Sequence, residues 1–404
     1  MKKKPAKQYA PRPLQWVNIL LRYSLGFFLR FYFRISTSGL EAIQGLESFV
    51  LIPTHHGNWD PFIIGSHIKK PVHWVTSDGN MRSRFMRFFL QYVGSIPKSK
   101  NIPDIQTIGW IVDTIRKKKG IVGLFVEGQA SWDGHTQKIM DGTGKLLKFL
   151  KAPVVLAIFE GAYYSQPRWG RGLRRGKLHI RFEILFQAED LKELPPENIQ
   201  EKLSDAMCYD EAAWQEETKQ KFSSPFRSEY LERALYLCPS CKSIASLESK
   251  KNKFLCTICH SAFLLNASYK IEEEPRKESL ALDIQTIRQW NLWQKETYPH
   301  VLHEIIEKEK GQALFIDEKT RIYRGRRMNP LVLLQRGKLV LYADRIEHEG
   351  KKRTLTFYFK DIDAEGVLKG QLLEFYEGKN LYQVRFASKR QSARKWADAV
   401  TALR

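Results

Sequence analysis

Cysteine is scarce in this sequence, and acidic residues are outnumbered by basic ones. The 404 residues include only 5 cysteines, four of them in two tight pairs. This pattern argues against a secreted disulfide framework and favours a reducing compartment. Lys and Arg together number 66 against 44 Asp and Glu, which gives a formal net charge of +22. Such a charge calls for an acidic partner, and both nucleic acid and an anionic membrane surface fit.

The sequence also lacks a long apolar run that is free of charge. Residues 14–35 are long enough to span a bilayer. They carry three arginines and one asparagine, at Asn18, Arg22, Arg30 and Arg34. An arginine near the bilayer centre costs about 2.5–3.5 kcal/mol on insertion scales, and no small-residue cleavage site follows, so neither a spanning helix nor a signal peptide is favoured.

We predict instead that residues 14–35 form a helix lying in the membrane interface, with its arginines at headgroup level. The side chains expected to enter the lipid are aromatic: Trp16, Phe27, Phe28 and Phe31. The alternative is an amphipathic helix that docks on the protein's own core. The expected location is the cytoplasmic face of a membrane, through peripheral association or a single N-terminal anchor.

Strand-like and helix-like segments alternate between residues 40 and 190. The strand candidates are apolar and short: 48–53, 72–77, 120–126, 153–159 and 177–186. Two intervening segments have helical apolar spacing. The sequence therefore predicts an α/β layer architecture for this region.

Four of the five cysteines form two Cys-x-x-Cys pairs. Cys238 and Cys241 are separated from Cys256 and Cys259 by fourteen residues. Two such pairs supply the four thiolates of a tetrahedral zinc site, and a closed shell of four sulfurs is structural because it leaves no open position for substrate. The alternative is four unligated core cysteines. The remaining Cys208 is expected to be buried.

The last third of the chain is rich in short strands and ends in one helix. A helix with a break near Pro299 is expected before it. The order of strands followed by a final helix resembles a pleckstrin-homology-like barrel, with Trp396 and Val400 closing one end. The domain boundaries that we predict are a membrane-associated helix over 1–39, an α/β domain over 40–235, a zinc ribbon over 236–270, a helical linker over 271–310 and the pleckstrin-homology-like domain over 311–404.

Residues 54–60 read Thr-His-His-Gly-Asn-Trp-Asp and follow an apolar run that predicts a buried strand. The next residues predict a helix with Asp60 at its N-cap and Pro61 at its first position. An imidazole held by a carboxylate can take a proton from a hydroxyl near neutral pH, since its ordinary pKa is about 6.5. His55 is the predicted base and Asp60 its orienting acid. His56 competes for that role, and a purely structural pair is the plain alternative.

Four blocks in this order resemble the glycerolipid acyltransferases, the lysophosphatidate acyltransferase superfamily. They are "THHGNWDPF" at 54–62, "GSIPKSK" at 94–100, "FVEGQAS" at 125–131 and "APVVLAI" at 152–158. The resemblance implies that His55 is the general base on the acceptor hydroxyl and that Asp60 polarises it. It also implies an acceptor pocket shaped by Glu127 and Gly128, and Ser131 matches the family motif as well.

Two positions depart from the family pattern. Ala130 stands where the family has an arginine that meets the acceptor phosphate, and Val126 replaces a proline. Alanine cannot make the bidentate contacts of a guanidinium. Lys98 and Lys100 are the residues expected to meet a phosphate instead.

The function implied is transfer of a fatty acyl group from acyl-CoA or acyl carrier protein to the hydroxyl of a lysophospholipid, chiefly 1-acyl-sn-glycerol 3-phosphate, in phospholipid biosynthesis. The alternatives are a different glycerolipid or non-phosphate acceptor, or an inactive lipid-binding tether. A zinc-ribbon nucleic-acid binder is disfavoured, because the basic residues are spread over the chain. Membrane lipids and the acyl donor are the expected partners, with structural zinc as cofactor and no nucleic acid.

Overall fold

The computed structural model describes residues 9–99, 104–274 and 283–404, which form two compact units. The first unit comprises the described residues of Met1–Ser131, His135–Ser165 and Gly176–Trp214. The second comprises Trp132–Gly134, Gln166–Arg175 and the described residues of Gln215–Arg404.

A seven-stranded sheet is the centre of the first unit. Its strands are β1 Ile35–Ser38, β2 Phe49–Pro53, β3 Val72–Ser77, β4 Ile96–Lys98, β5 Ile121–Gly123, β6 Val154–Glu160 and β7 Leu178–Phe186, in the order β1-β7-β6-β2-β5-β3-β4. All neighbours are parallel except β6 and β7. Every residue of β2 is buried, as expected for a strand covered on both faces.

Helices flank this sheet, as the α/β prediction requires. They are α1 Gln15–Leu21, α2 Phe27–Phe33, α3 Leu40–Ile43, α4 Asp60–Gly65, α5 Arg84–Tyr92, α6 Ile105–Val112, α7 Thr143–Leu150, α8 Ala162–Ser165, α9 Asp190–Glu193, α10 Pro196–Met207 and α11 Glu211–Thr218, which continues into the second unit. Two π-helical turns, Arg22–Gly26 and Asp113–Lys117, and a 3₁₀ turn, Asp78–Met81, complete the set.

The first π-helical turn joins α1 to α2, so residues 15–33 form one continuous helical segment that ends at Arg34 in the left-handed conformation. One face of this segment is packed, with Leu29 and Phe33 fully buried. The other face is exposed and apolar, with Trp16, Ile19, Leu20, Tyr23, Phe27, Phe28 and Phe31. Among the described residues, no helix combines the length and the apolar character that a bilayer crossing requires.

The second unit contains two antiparallel sheets. The smaller consists of β8 Leu247–Lys250, β9 Lys253–Cys256, β10 Ala262–Leu265 and β11 Ile271–Glu273, in the order β11-β10-β9-β8. The larger consists of β12 Phe315–Gly325, β13 Val332–Leu341, β14 Arg345–Gly350, β15 Thr354–Tyr358, β16 Ile362–Leu368, β17 Leu372–Glu377 and β18 Asn380–Arg385, in the order β15-β14-β13-β12-β18-β17-β16.

The helical parts of this unit are α12 Ile287–Lys308, α13 Ala393–Leu403 and the 3₁₀ turns Leu231–Arg233 and Phe359–Asp361. The predicted break near Pro299 is wrong, because α12 runs through that residue. Proline removes one backbone hydrogen bond but does not end a helix that packing and capping hold elsewhere. Here a capping box between Thr286 and Gln289 fixes the N-terminus, while Trp290 and Leu302 are fully buried.

A three-residue excursion of the chain, Trp132–Gly134, belongs to the second unit. The Trp132 ring contacts two guanidinium groups, that of Arg168 at 4.0 Å and that of Arg394 at 5.1 Å. Asp133 accepts a 2.5 Å hydrogen bond from the Asn291 side chain. Residues 132–134 are therefore buried and are held in this unit by cation–π contacts and a hydrogen bond.

Two helical glycines of the first unit provide a matched test of packing. A Cβ on Gly144 in α7 would lie 2.2 Å from the Pro196 carbonyl oxygen of α10, whereas a Cβ on Gly109 in α6 would meet nothing within 4 Å. We expect Gly144→Ala to lower the free energy of unfolding by about 1–3 kcal/mol. Gly109→Ala should raise it by about 0.5–1 kcal/mol, since alanine favours a helix. Equal effects in urea denaturation would contradict the close α7–α10 packing.

Candidate active site and metal centre

The loop between β2 and α4 brings a histidine and an aspartate together. His55 Nδ1 lies 2.8 Å from Asp60 Oδ2. The same oxygen accepts hydrogen bonds from the backbone N–H groups of His56, at 2.7 Å, and Gly57, at 2.9 Å. Because Asp60 is an acceptor here, we assign the proton to Nδ1 of His55, which leaves Nε2 with a lone pair. The His55 side chain is 20 % exposed and that of Asp60 is fully buried.

The predicted N-cap position of Asp60 is wrong by one residue. Helix α4 begins at Asp60, Trp59 occupies the N-cap without a side-chain cap bond, and Pro61 lies in the first turn. The Asp60 carboxylate turns back toward the preceding loop and accepts hydrogen bonds there. Its bonds to His55, His56 and Gly57 therefore shape the loop that carries the imidazole.

Glu127 braces the same loop from the neighbouring strand. Since β2 and β5 are adjacent and parallel, their carboxyl ends place His55 and Glu127 at one edge of the sheet. Glu127 Oε1 accepts from the His55 backbone N–H at 2.8 Å, and Oε2 accepts from the Gln137 N–H at 2.7 Å. Burial raises the pKa of Glu127 to about 8, although both backbone donors oppose the rise.

The residues after Glu127 have different surroundings. Gly128 is exposed and has a φ of +73°, a left-handed turn conformation that favours glycine. Ser131 is buried, and its N–H donates to the His55 carbonyl at 2.9 Å while its hydroxyl donates to the His135 carbonyl at 2.8 Å. Ser131 thus holds the His55 backbone, whereas Gly128 lies at the surface.

His56 has a separate, buried environment. Its Nε2 lies 3.2 Å from the Thr54 hydroxyl oxygen, and its ring packs edge-on against Phe159. Burial lowers the pKa of His56 to about 4, so the ring is neutral at ordinary pH. With 2 % exposure, it is far less accessible than His55.

An aromatic stack behind His55 was not foreseen from the sequence. The His55 ring centroid is 4.2 Å from that of Phe125, which in turn stacks on Trp74 at 5.1 Å. Trp74 lies against the backbone of Gly123, where a Cβ would come within 2.3 Å of its ring. A glycine inside an apolar strand marks such a close approach and was the available signal.

Of the two lysines expected to meet a phosphate, the structure describes only Lys98. Lys98 ends β4, is exposed, and has its Nζ 3.7 Å from the Met140 sulfur. A Cβ on Gly128 would lie 3.4 Å from the same sulfur, so Met140 lies between Gly128 and Lys98. Lys100 lies outside the described residues.

The four paired cysteines of the second unit converge on one point. The sulfurs of Cys238, Cys241, Cys256 and Cys259 all lie within 4.8 Å of one another. The Cys238–Cys259 and Cys241–Cys256 sulfur distances are both 3.7 Å. Four thiolates about 2.3 Å from a tetrahedral ion stand about 3.8 Å apart, so the cluster fits a metal.

Serine hydroxyls support the cysteine cluster. Ser243 Oγ lies 3.0 Å from the Cys241 sulfur, and Ser261 Oγ lies 2.9 Å from the Cys259 sulfur. Such outer contacts orient metal ligands. The prediction that Cys208 is buried is wrong, because that residue is exposed at the end of α10.

Comparison with known proteins finds a family that the region around the His55–Asp60 pair resembles. Residues 34–159 match the family model described as Acyltransferase. Among solved structures, the chain is similar to the 1-acyl-sn-glycerophosphate acyltransferase PlsC from Thermotoga maritima, with 14% identity and a TM-score of 0.42 over 52% of this chain and 83% of that one. A chain of the 8S snRNP assembly intermediate matches 23% of this chain and 84% of its own length at 7% identity and a TM-score of 0.19.

Both TM-scores are too low to support an inference, and the comparison with curated protein sequences found no match. The family model is the informative result, and it covers the strands and loops that hold His55, Asp60 and Glu127. The predicted order of an α/β region, a four-cysteine cluster and an antiparallel β-rich region is confirmed. Residues 34–159 are therefore similar to the acyltransferase family.

Proposed function

We propose that the protein transfers a fatty acyl group from acyl-CoA or acyl carrier protein to the hydroxyl of a lysophospholipid, chiefly 1-acyl-sn-glycerol 3-phosphate, in phospholipid biosynthesis. The observation that carries the proposal is the His55–Asp60 pair in a domain of the acyltransferase family. An accessible imidazole with a lone pair on Nε2, oriented by a buried carboxylate, is suited to general-base catalysis.

The chemistry needs no covalent enzyme intermediate. Nε2 of His55 takes the proton of the acceptor hydroxyl as its oxygen attacks the thioester carbonyl carbon. The tetrahedral intermediate then expels the thiolate, the carbon–sulfur bond breaks, and the imidazolium returns the proton to sulfur. Asp60 stabilises the imidazolium between these steps and holds the ring so that Nδ1 keeps its hydrogen.

Other acceptors are the second candidate, and Ala130 is the observation that favours them. Without the family's arginine, a phosphate must be recognised elsewhere or be absent from the acceptor. A thioester-release assay across lysophospholipids with and without a terminal phosphate tests both activity and acceptor. An inactive tether is the less economical interpretation, because it leaves the His55–Asp60 contact without a role.

We further propose peripheral binding at the cytoplasmic face of an anionic membrane. The exposed apolar face of residues 15–33 supports it, with Phe27 and Phe31 each about 70 % exposed. The net charge of +22 supports attraction to acidic lipids. Two experiments separate this proposal from nucleic-acid binding. Membrane binding predicts flotation with anionic vesicles, whereas nucleic-acid binding predicts a gel shift of short duplexes that weakens steeply with salt.

For the cysteine cluster we propose structural zinc. Cys238, Cys241, Cys256 and Cys259 would hold the ion, and their sulfur separations suit a tetrahedral shell. Zinc would supply a structural crosslink there and no catalysis, because four sulfurs would fill its coordination sphere.

The first prediction of the proposed function concerns the two adjacent histidines. His55→Ala should lower kcat by about 10²–10⁴-fold, because it removes the base. His56→Ala should leave kcat within about tenfold of the wild type and lower the melting temperature, since it opens a cavity beside Phe159. Thioester release and thermal unfolding, measured on both variants, check this. The reverse pattern would assign the base to His56.

A second prediction concerns the brace that Glu127 provides. Because each oxygen accepts a backbone N–H, Glu127→Gln turns an NH₂ group toward one of the two donors. We expect a loss of about 1–3 kcal/mol in unfolding free energy from the unsatisfied donor. Glu201→Gln, at an exposed position of α10, should change stability little.

The stability of the wild type relative to Glu127→Gln should decrease as pH rises. The pKa of Glu127 rises from about 4.3 in the unfolded chain to about 8 in the folded protein. Its stabilising contribution is therefore complete below about pH 4.3 and is lost as pH rises through about 8. Wild-type stability relative to Glu127→Gln should fall across that window. A rise instead would indicate that the two backbone donors keep the carboxylate ionised.

The zinc proposal predicts different outcomes for two cysteine variants. Purified protein should contain one zinc per chain, measured by elemental analysis. Cys256→Ser should lose the metal and lower the melting temperature, because a structural site contributes its binding energy to folding. Cys208→Ser should retain zinc and stability, because Cys208 is exposed and outside the cluster. Full zinc content in Cys256→Ser would refute the assignment.

A further inference from the structure

A cluster of cationic and donor groups lies where the N-terminal helical segment packs against α4. The segment approaches α4 closely at Gly26, where a Cβ would lie 2.6 Å from Ser66 Cβ. Arg22 precedes Gly26 by four residues, and Arg30 follows it by four, so both arginines flank the contact. Arg30 Nε donates to the Ser66 hydroxyl oxygen at 3.2 Å. His67 is the next residue after Ser66.

The two guanidinium groups repel each other, and the described part of the chain gives neither an acidic counterpart. Both arginines are partly buried. The pKa of Arg30 is lowered first by burial and then by the positive charge of Arg22. Within the residues that the structure describes, neither arginine forms an ion pair with a carboxylate. Partly desolvated like charges without an acid are unfavourable unless an anion offsets them.

His67 adds an unused polar atom to the cluster. Its Nε2 is buried and, in the described part of the chain, has no hydrogen-bond partner. Burial, followed by the charges of Arg30 and Arg22, lowers the pKa of His67 to about 4. The ring is therefore neutral at ordinary pH and can donate one N–H. An acceptor that bonds all three side chains would satisfy the orphaned nitrogen and offset both charges.

We propose that Arg22, Arg30 and His67 bind the phosphate group of a lipid. Phosphate supplies several acceptor oxygens, and guanidinium groups bind it through two N–H bonds at once. A lipid is favoured over a soluble phosphate compound because the same helical segment exposes apolar side chains beside the arginines. Tyr23 and Phe27, which directly follow Arg22 and Gly26, are about 70 % exposed.

The phosphate has two possible lipid sources, a membrane phospholipid or the acyl acceptor. The second source depends on the proposed acyltransferase function, while the first does not. Arg22 and Arg30 lie outside the four sequence blocks, and an acceptor phosphate bound there would meet the guanidinium groups that the third block lacks at Ala130.

Vesicle binding of the full-length chain tests the site without reference to activity. The probes are phosphatidylcholine vesicles and the same vesicles carrying phosphatidate, at an ionic strength of about 0.15 M to screen general attraction. We compare Arg22→Gln/Arg30→Gln with Arg12→Gln/Arg34→Gln. Both double variants remove two charges, and Arg12 and Arg34 are exposed positions that bracket the same segment.

We expect the first double variant to lose its preference for phosphatidate vesicles by about tenfold or more, since each charge-assisted bond is worth about that factor. The control should keep the preference within about twofold. An equal loss in both double variants would overturn the proposal, because it would indicate general attraction by surface charge. No loss in either would also overturn it, because it would show that the two arginines do not bind the phosphate.

Measurements of KM distinguish the acyl acceptor from a membrane phospholipid as the source of the phosphate. In detergent micelles, the KM of Arg22→Gln/Arg30→Gln should rise for a phosphate-bearing acceptor and not for a phosphate-free one if the site takes the acceptor. An unchanged KM, together with weakened vesicle binding, assigns the site to a membrane phospholipid. If no acyl transfer is detected, the vesicle result still stands alone, so failure of the proposed function and failure of this site are distinguishable.

Discussion

One carboxylate oxygen determines the geometry of the candidate active site. Asp60 Oδ2 accepts from the His55 imidazole and from two successive backbone N–H groups of the loop. Buried charge is stable when several donors surround it, and here the donors are the loop itself. The contact therefore fixes both the His55 tautomer and the path of the chain between β2 and α4.

The backbone of His55 is held as firmly as its side chain. Its N–H donates to Glu127, its carbonyl accepts from Ser131, and its ring packs at a tilt against Phe125. All three partners come from the segment after β5, because parallel pairing of β2 and β5 aligns their carboxyl ends. Glu127 and Ser131 thus hold the backbone of the proposed base, whereas the resemblance alone assigns Glu127 to an acceptor pocket.

The sequence predicted those features that depend on local pattern. The apolar run before Thr54, the His55–Asp60 spacing and the cysteine pairs each have a short-range signal, and the structure contains a buried strand, a hydrogen-bonded pair and a compact sulfur cluster there. The Trp74–Phe125 stack, the continuity of α12 through Pro299 and the exposure of Cys208 depend on tertiary packing. Such packing overrides propensity and leaves little trace in a single sequence.

Two contrasting arginine environments bear on the proposed phosphate site. In the second unit, Arg390 bonds Glu229 at 2.6 Å and Glu232 at 2.7 Å, so carboxylates offset its charge. Arg22 and Arg30 lie against α4 without such acids among the described residues, and Arg30 bonds only a hydroxyl. A large net charge alone would explain exposed, solvated arginines, but not two that are partly buried and close together. The difference indicates that their counter-charge comes from outside the chain, which links the basic composition to one bound anion.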